Sequence, residues 1–217
     1  MLFESGNFNI QSNGDIYIGL NTKNRQEEEN ANITMIFSGG DINISPPKAG
    51  IFLGGKEKSC LEDSGNGNVI FEAMRISFPS GNIRCEGESC ITLSAYIITL
   101  EDSEVDMGNV APRFDLVTGN SENEYRPLIE FWHPTDLRKN PWIFSSNNKH
   151  KGVFNFKVNG KNGHFIFNGQ SDESLSALME GGYLSINKKP IIGKMAADKA
   201  FNFQKDGNSG RYIVSLK

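Results

Sequence analysis

Gly67-Asn68-Val69-Ile70-Phe71 is the stretch that most clearly indicates the fold, since it joins a turn-forming pair to a short apolar run. Glycine and asparagine favour tight turns, whereas valine, isoleucine and phenylalanine favour strands. The same order, Gly then Asn or Asp then Ile or Val, also begins at Gly14, Gly40, Gly81 and Gly108. The sequence therefore predicts many short strands separated by tight turns.

The five glycines are spaced 26, 27, 14 and 27 residues apart, which are near-multiples of one value. One turn and one strand per repeat is typical of a β-solenoid, in which each coil buries its apolar face on its neighbours. Gly-Asn and Gly-Asp are also ordinary hairpin turns, so an antiparallel arrangement explains the same residues. We predict a mainly-β fold, specifically an antiparallel β-sandwich, with a β-solenoid for the N-terminal half as the alternative.

The C-terminal half carries one or two short helices in this prediction. Over residues 171–180, Ser171 can cap a helix, two acidic residues favour its N-terminal end, and Gly181-Gly182 can end it. A second short helix is predicted within 193–200. The chain is expected to divide into a Gly/Asn-rich β region, 1–115, and a β-rich region, 116–217, although a single compact β domain is also compatible with the pattern.

Composition and charge exclude some classes of function. The chain has 22 Lys and Arg against 26 Asp and Glu, a formal charge of −4, and the cations form no stripe. Nucleic acid is therefore not a predicted partner, because such binding depends on clustered cations. No run approaches the roughly 20 apolar residues of a membrane span, and Met1 to Gly6 lack signal-peptide features. We expect a cytoplasmic protein, or a periplasmic or secreted one if a leader has been removed.

Two of the three cysteines are close in sequence. Cys85 and Cys90 flank a four-residue polar segment, so a hairpin could bring them to disulfide distance, whereas a reducing cytoplasm would keep both as thiols. No second Cys or His pair has the spacing of metal ligands, so neither a metal site nor a cofactor is predicted.

The densest group of polar and aromatic side chains lies between Tyr125 and Phe144. The candidate ligand-binding residues there are Glu130, Trp132, His133, Asp136, Arg138 and Trp142. Aromatic rings beside carboxylates and an arginine are suited to sugar recognition, and Glu130 with Asp136 could form a glycosidase pair if their carboxyl groups came within about 5 to 9 Å. The prolines in this stretch favour the other interpretation, a turn-rich connection whose tryptophans are core anchors.

A resemblance to a known family rests on an ordered set of short landmarks between residues 79 and 205. They are Pro79-Ser80-Gly81-Asn82-Ile83-Arg84-Cys85, Arg113-Phe114-Asp115, Trp142 to Asn148, Gly181 to Ile186 and Phe201-Asn202-Phe203. In this order the segment resembles exported bacterial β-sandwich accessory proteins of the type VI secretion-associated kind. The first half loosely resembles a filamentous-haemagglutinin-style solenoid. The resemblance implies a periplasmic or surface role without catalysis.

The function predicted from these observations is that of a non-enzymatic binding or accessory protein at a bacterial surface or in secretion, with a protein as its principal partner. No Gly-x-Ser-x-Gly elbow or other complete catalytic constellation is present. One alternative is a cytoplasmic interaction module, such as a toxin-immunity protein or a phage-encoded inhibitor. The other is a carbohydrate-binding or glycan-cleaving protein.

Overall fold

The structure, a computed structural model, describes part of the chain. The described residues are 2–3, 8–11, 16–18, 34–37, 41–45, 50–53, 60–63, 68–77, 82–100, 113–120, 122–142, 144–207 and 210–217. They form a mainly-β fold of two mixed sheets with two short helices, which confirms the predicted class at that level. The five glycines of the repeat lie outside the described residues, but β-structure begins directly after the pairs Gly40-Asp41, Gly67-Asn68 and Gly81-Asn82.

The first sheet has eight strands, in spatial order along the sheet. They are β1 (Leu2–Phe3), β4 (Thr34–Phe37), β7 (Cys60–Asp63), β9 (Asn82–Cys85), β11 (Arg113–Val117), β13 (Phe154–Lys157), β15 (Leu184–Ile186) and β16 (Lys189–Pro190). All neighbours pair in parallel except β15 and β16. Chain order and spatial order therefore run in the same direction across this sheet.

The second sheet contains the strands that lie between those of the first sheet in the chain. They are β2 (Phe8–Gln11), β3 (Ile16–Ile18), β5 (Asp41–Ser45), β6 (Gly50–Leu53), β8 (Asn68–Ser77), β10 (Cys90–Thr99), β12 (Leu128–Trp132), β14 (His164–Phe167), β17 (Phe201–Asp206) and β18 (Arg211–Leu216). Pairing is parallel as far as β14, and then β18 and β17 add antiparallel strands. From β7 to β15 the chain alternates between the sheets.

The antiparallel sandwich is not confirmed, because antiparallel ladders are restricted to the C-terminal strands. Consecutive strands belong to different sheets, so a turn between them does not make a hairpin. Cys85 and Cys90 illustrate the error: β9 lies in the first sheet and β10 in the second. The structure has both cysteines as buried thiols rather than as a disulfide, with Cys85 Sγ 3.4 Å from the Leu128 carbonyl oxygen.

The core lies between the two sheets and is largely aromatic. Alternation along each strand turns one set of side chains inward. Phe114 and Phe154 from the first sheet meet Phe131 from the second, with ring centroids 5.2 and 5.4 Å from that of Phe131. All three rings are almost completely buried. The outer faces of the strands therefore carry the polar and exposed side chains on which any site must be built.

Two helices connect the C-terminal strands. α1 (Asp172–Glu180) occupies the predicted place, and its N-cap Ser171 accepts a hydrogen bond from the Ser174 N–H at 3.1 Å. α2 (Lys194–Ala200) leads into β17 and buries Ala197. In the described part of the chain, neither helix is long and apolar enough to cross a membrane.

The boundary predicted between residues 115 and 116 falls within β11. This strand pairs with β9 on one side and with β13 on the other. The division into 1–115 and 116–217 stays a prediction.

Candidate functional site

The structure places the six predicted binding residues along one strand and the loop that follows it. Glu130 and Trp132 alternate in β12 with the buried Ile129 and Phe131, so they belong to the outer face of the second sheet. His133, Asp136 and Arg138 lie in the next segment, residues 133–141, which we call the outer loop. Trp142 ends that loop. The six are therefore neighbours in the chain, but they do not share one surface.

Trp142 is a core residue. Only 4% of its surface is exposed, and its ring packs edge-to-face against Phe131 and Phe154 at centroid distances of 5.4 Å in both cases. A ring in this position cannot stack on a sugar in solution. Trp132, by contrast, is half-buried on the outer face. Its role in ligand binding stays a prediction.

Glu130 is held by two donors from neighbouring strands and loops. Its Oε1 accepts a hydrogen bond from Asn168 Nδ2 at 2.9 Å, and Arg211 Nε lies 3.5 Å from the same oxygen. Arg211 also pairs with Asp206, so the guanidinium joins two carboxylates. This arrangement ties β12 to the C-terminal hairpin of β17 and β18.

Asp136 and Arg138 form a local ion pair within the outer loop. The Asp136 carboxylate accepts hydrogen bonds from Arg138 Nε at 3.1 Å and from the Arg138 backbone N–H at 3.0 Å. These bonds lower the pKa of Asp136 below its ordinary value. A glycosidase acid needs the opposite shift, because it must hold a proton at neutral pH. The geometry therefore disfavours Asp136 as the acid of a catalytic pair.

His133 is buried at the start of the outer loop, with 6% of its surface exposed. Its Nδ1 accepts a hydrogen bond from the Asp136 backbone N–H at 3.1 Å, and its ring lies edge-to-face with Tyr96 at 4.8 Å. Burial lowers the pKa of His133, and Lys139 lowers it further, while Asp136 partly opposes both effects. A neutral imidazole at pH 7 fits the acceptor role of Nδ1.

The outer loop is fixed at both ends. It leaves the second sheet at Trp132, which is in register with Ser94, and returns at Trp142, which bridges to Ile98. Near its end, the Asn140 and Gln170 amides exchange two hydrogen bonds, of 3.0 and 2.6 Å. The loop is thus a pre-organised flank beside residues 94–98 of β10.

A surface that the sequence interpretation missed lies beside this loop. Met74, Tyr96 and Ile97 have exposed fractions of 46%, 39% and 40%. The register pairs Ala73–Ala95 and Arg75–Ile97 place Met74 beside Tyr96. We define the corner face as Met74, Arg75, Tyr96 and Ile97 together with the outer loop, which adds Leu137 at 39% exposure.

The corner face results from a break in strand alternation. In both β8 and β10 two consecutive exposed residues separate a buried alanine from a buried isoleucine. The repeated pattern is Ala73-Met74-Arg75-Ile76 and Ala95-Tyr96-Ile97-Ile98. This pair of Ala-x-x-Ile segments is the signal that could have located the surface from the sequence.

Groups suited to metal binding were sought among the same residues. Within the described ranges, no group of three or more His, Cys, Asp or Glu side chains is placed to hold a metal ion. Comparisons with protein-family models, with curated proteins and with solved structures gave no match to this chain. The choice of function therefore depends on the geometry of the surface itself.

Proposed function

We propose that this chain is a non-enzymatic binding protein that contacts a protein partner through the corner face. The observation that carries the proposal is the group of adjacent, large, exposed apolar side chains Met74, Tyr96 and Ile97. Isolated exposed apolar residues are common on protein surfaces, but a contiguous group marks an interaction site.

The composition of the corner face supports a protein as the partner. Tyrosine, tryptophan, methionine and arginine are the residue types enriched at protein interfaces. Tyr96, Met74 and Arg75 supply three of them on two neighbouring strands, and Trp132 lies at the edge of the outer loop. Tyr96 is the expected hot spot, because its ring is already oriented by the contact with His133.

Rigidity adds to this support. Ordering side chains and loops on binding costs free energy that reduces affinity. Met74 and Tyr96 project from paired strands, and the amide pair between Asn140 and Gln170 fixes the outer loop beforehand. A partner would therefore meet a surface that loses little conformational freedom.

For the architecture that carries this surface, we propose a two-sheet parallel β-solenoid that extends beyond the N-terminal half. Support comes from the alternation of successive strands between sheets and from the parallel register of equivalent strands. In such a coil, corner residues of successive turns stack along the axis. Met74 and Tyr96 have that relation, and the antiparallel β17 and β18 then serve as a cap on the second sheet.

The test is partner capture followed by a binding measurement. Wild-type protein and the Tyr96→Ser/Ile97→Ser variant serve as baits in extract of the source cells. Val158→Ser is the matched control, since Val158 is 46% exposed but ends a strand of the first sheet. We expect one partner to be lost with the double variant and retained with the control. Calorimetry with that purified partner should show binding at least about tenfold weaker for the double variant.

Equal affinity of the partner for wild type and the double variant would contradict the proposal. A glycan array provides the second readout, using wild type and Trp132→Ala. Sugar binding that depends on Trp132, with no protein partner that depends on Tyr96 and Ile97, would favour the carbohydrate-binding alternative instead.

A further inference from the structure

The outer face of the first sheet contains a polar cleft of about 270 Å³. It lies on the opposite sheet from the corner face. Its lining residues are Arg84, Asp115, Asn155, Lys157, Asn187 and Lys188. Strand register explains why they meet: Arg84, Asp115 and Asn155 occupy equivalent positions on β9, β11 and β13.

The floor of the cleft is a hydrogen-bonded network with its charge balanced. The Asp115 carboxylate is 5% exposed and accepts hydrogen bonds from Arg113 Nε at 2.7 Å and Arg113 Nη2 at 3.0 Å. The amide Nδ2 of Asn155 donates to Asp115 Oδ1 at 2.7 Å. Because Arg113 neutralises this carboxylate, the floor offers little repulsion to an anion.

The rim is fixed by the turn between β15 and β16. Asn187 and Lys188 both have positive φ, 48° and 67°. Asn155 Oδ1 accepts a hydrogen bond from the Lys188 backbone N–H at 2.7 Å, and Asn187 Oδ1 accepts one from the Val158 N–H at 3.0 Å. These two bonds hold the Lys188 backbone against the floor.

The charge at the rim is positive and available. Lys157 and Lys188 are exposed, and neither ammonium group forms an ion pair with any residue that the structure describes. Arg84 lies on the far side, where its Nη2 pairs with Glu86 Oε2 at 2.6 Å. Glu62 is in register with Arg84, three strands from β13 and thus about 14 Å away, beyond the Debye length of about 8 Å in physiological salt.

We propose that this cleft binds a small ligand through an oxyanion, a phosphate or a carboxylate group, held by the Lys157 and Lys188 ammonium groups. Lysine binds such groups as a point charge with three N–H donors. The Asn155 amide is occupied by the floor, so the lysines supply the donors that face the ligand. This site is separate from the corner face and does not depend on the protein partner proposed above.

Inorganic phosphate, glucuronate and glucose are the probes that test the site, at constant ionic strength and pH 7. Amide NMR spectra of the whole chain should show saturable shifts of Val158, Asn187 and Lys188 with phosphate or glucuronate, and none with glucose. A response to phosphate alone would identify a phosphate site, and a response to glucuronate alone a carboxylate site. If the wild type shows no such shift with either anion up to about 10 mM, the proposal is overturned.

Charge-matched variants separate this site from general attraction to a basic surface. Lys157→Gln/Lys188→Gln should bind the responding anion at least about tenfold more weakly than wild type. Lys161→Gln/Lys199→Gln removes two exposed charges elsewhere and should bind it within about twofold of wild type. Each single substitution at Lys157 or Lys188 should give an intermediate loss. Equal affinity of the first double variant and wild type would overturn the assignment of the two lysines.

Discussion

Single residues decide how closely the outer loop can approach the second sheet, and Gly169 is the clearest case. Its φ is +65°, and a Cβ added there would lie 1.9 Å from the Lys139 carbonyl oxygen. Both the left-handed backbone and the approach of the loop therefore require glycine at this position. The amide pair between Asn140 and Gln170 lies directly beside this contact.

Gly169→Ala should therefore destabilise the protein by about 3 kcal/mol or more, since it adds a backbone clash to the left-handed penalty. Gly207→Ala is the control, because Gly207 has φ +61° but its added Cβ meets none of the described atoms within 4 Å. It should cost only about 1 to 2 kcal/mol. Urea unfolding of both variants measures the difference, and equal losses would show that the loop does not press on Gly169.

His133 gives a second prediction at this scale, on proton binding. Its pKa should lie below the ordinary value of about 6.5, mainly because the ring is buried. Lys139→Gln should raise this pKa, whereas Asp136→Asn should lower it further, as measured by NMR titration of the imidazole. Since the unfolded chain binds the proton more readily, stability should fall as pH decreases below about 6.5. A pKa of His133 at or above that of an unfolded peptide would contradict the buried, neutral ring.

Secondary-structure elements show which information is local in the sequence. Alternating runs such as Phe8-Asn9-Ile10 and Ile42-Asn43-Ile44 predict strands, and β2 and β5 form there. The helix signals around Ser171 are equally local and give α1. Such elements can be predicted because a strand or helix face is written into neighbouring residues.

The pairing between elements could not be predicted in the same way. A Gly-Asn pair precedes a strand whether the chain turns back in a hairpin or passes to another sheet, so parallel and antiparallel neighbours give the same local pattern. Cys85 and Cys90 were placed on a hairpin for this reason. The candidate site was limited likewise: the contact between Tyr96 and His133 joins residues 37 apart in the chain, and the burial of Trp142 follows from rings on both sheets.

Helix α1 provides the prediction that belongs to elements. Ser171 Oγ accepts a hydrogen bond from the Ser174 N–H, which would otherwise lack an intrahelical partner. Ser171→Ala should therefore cost about 1 kcal/mol of the free energy of unfolding. Ser176→Ala, within the same helix, should be neutral or slightly stabilising because alanine has the higher helix propensity. Urea unfolding distinguishes the two variants, and an equal effect of both would argue against a capping role for Ser171.

At the scale of the whole molecule, the two sheets are continuous across the predicted domain boundary. In the first sheet, an inward row in register runs through Ile83, Phe114, Phe154 and Leu184. In the second, a matching row runs through Val69, Ile91, Ile129, Phe165 and Val214. Both rows contain residues from 1–115 and from 116–217, so the core between the sheets has no gap at residue 115.

Continuity of these rows predicts that residues 68–217 unfold together. Phe154→Ala, at the centre of the aromatic core, should remove about 4 kcal/mol from the free energy of unfolding. Phe203→Ala is the control, because Phe203 is half-buried near the end of the second sheet and should cost less. Pulse-labelling hydrogen exchange in urea reports β8 to β10 and β12 to β14 separately. Phe154→Ala should shift the midpoints of both groups equally, because its ring packs on Phe114 from one side of the boundary and on Phe131 from the other. A shift restricted to β12 to β14 would instead establish 116–217 as a domain that unfolds independently of 1–115.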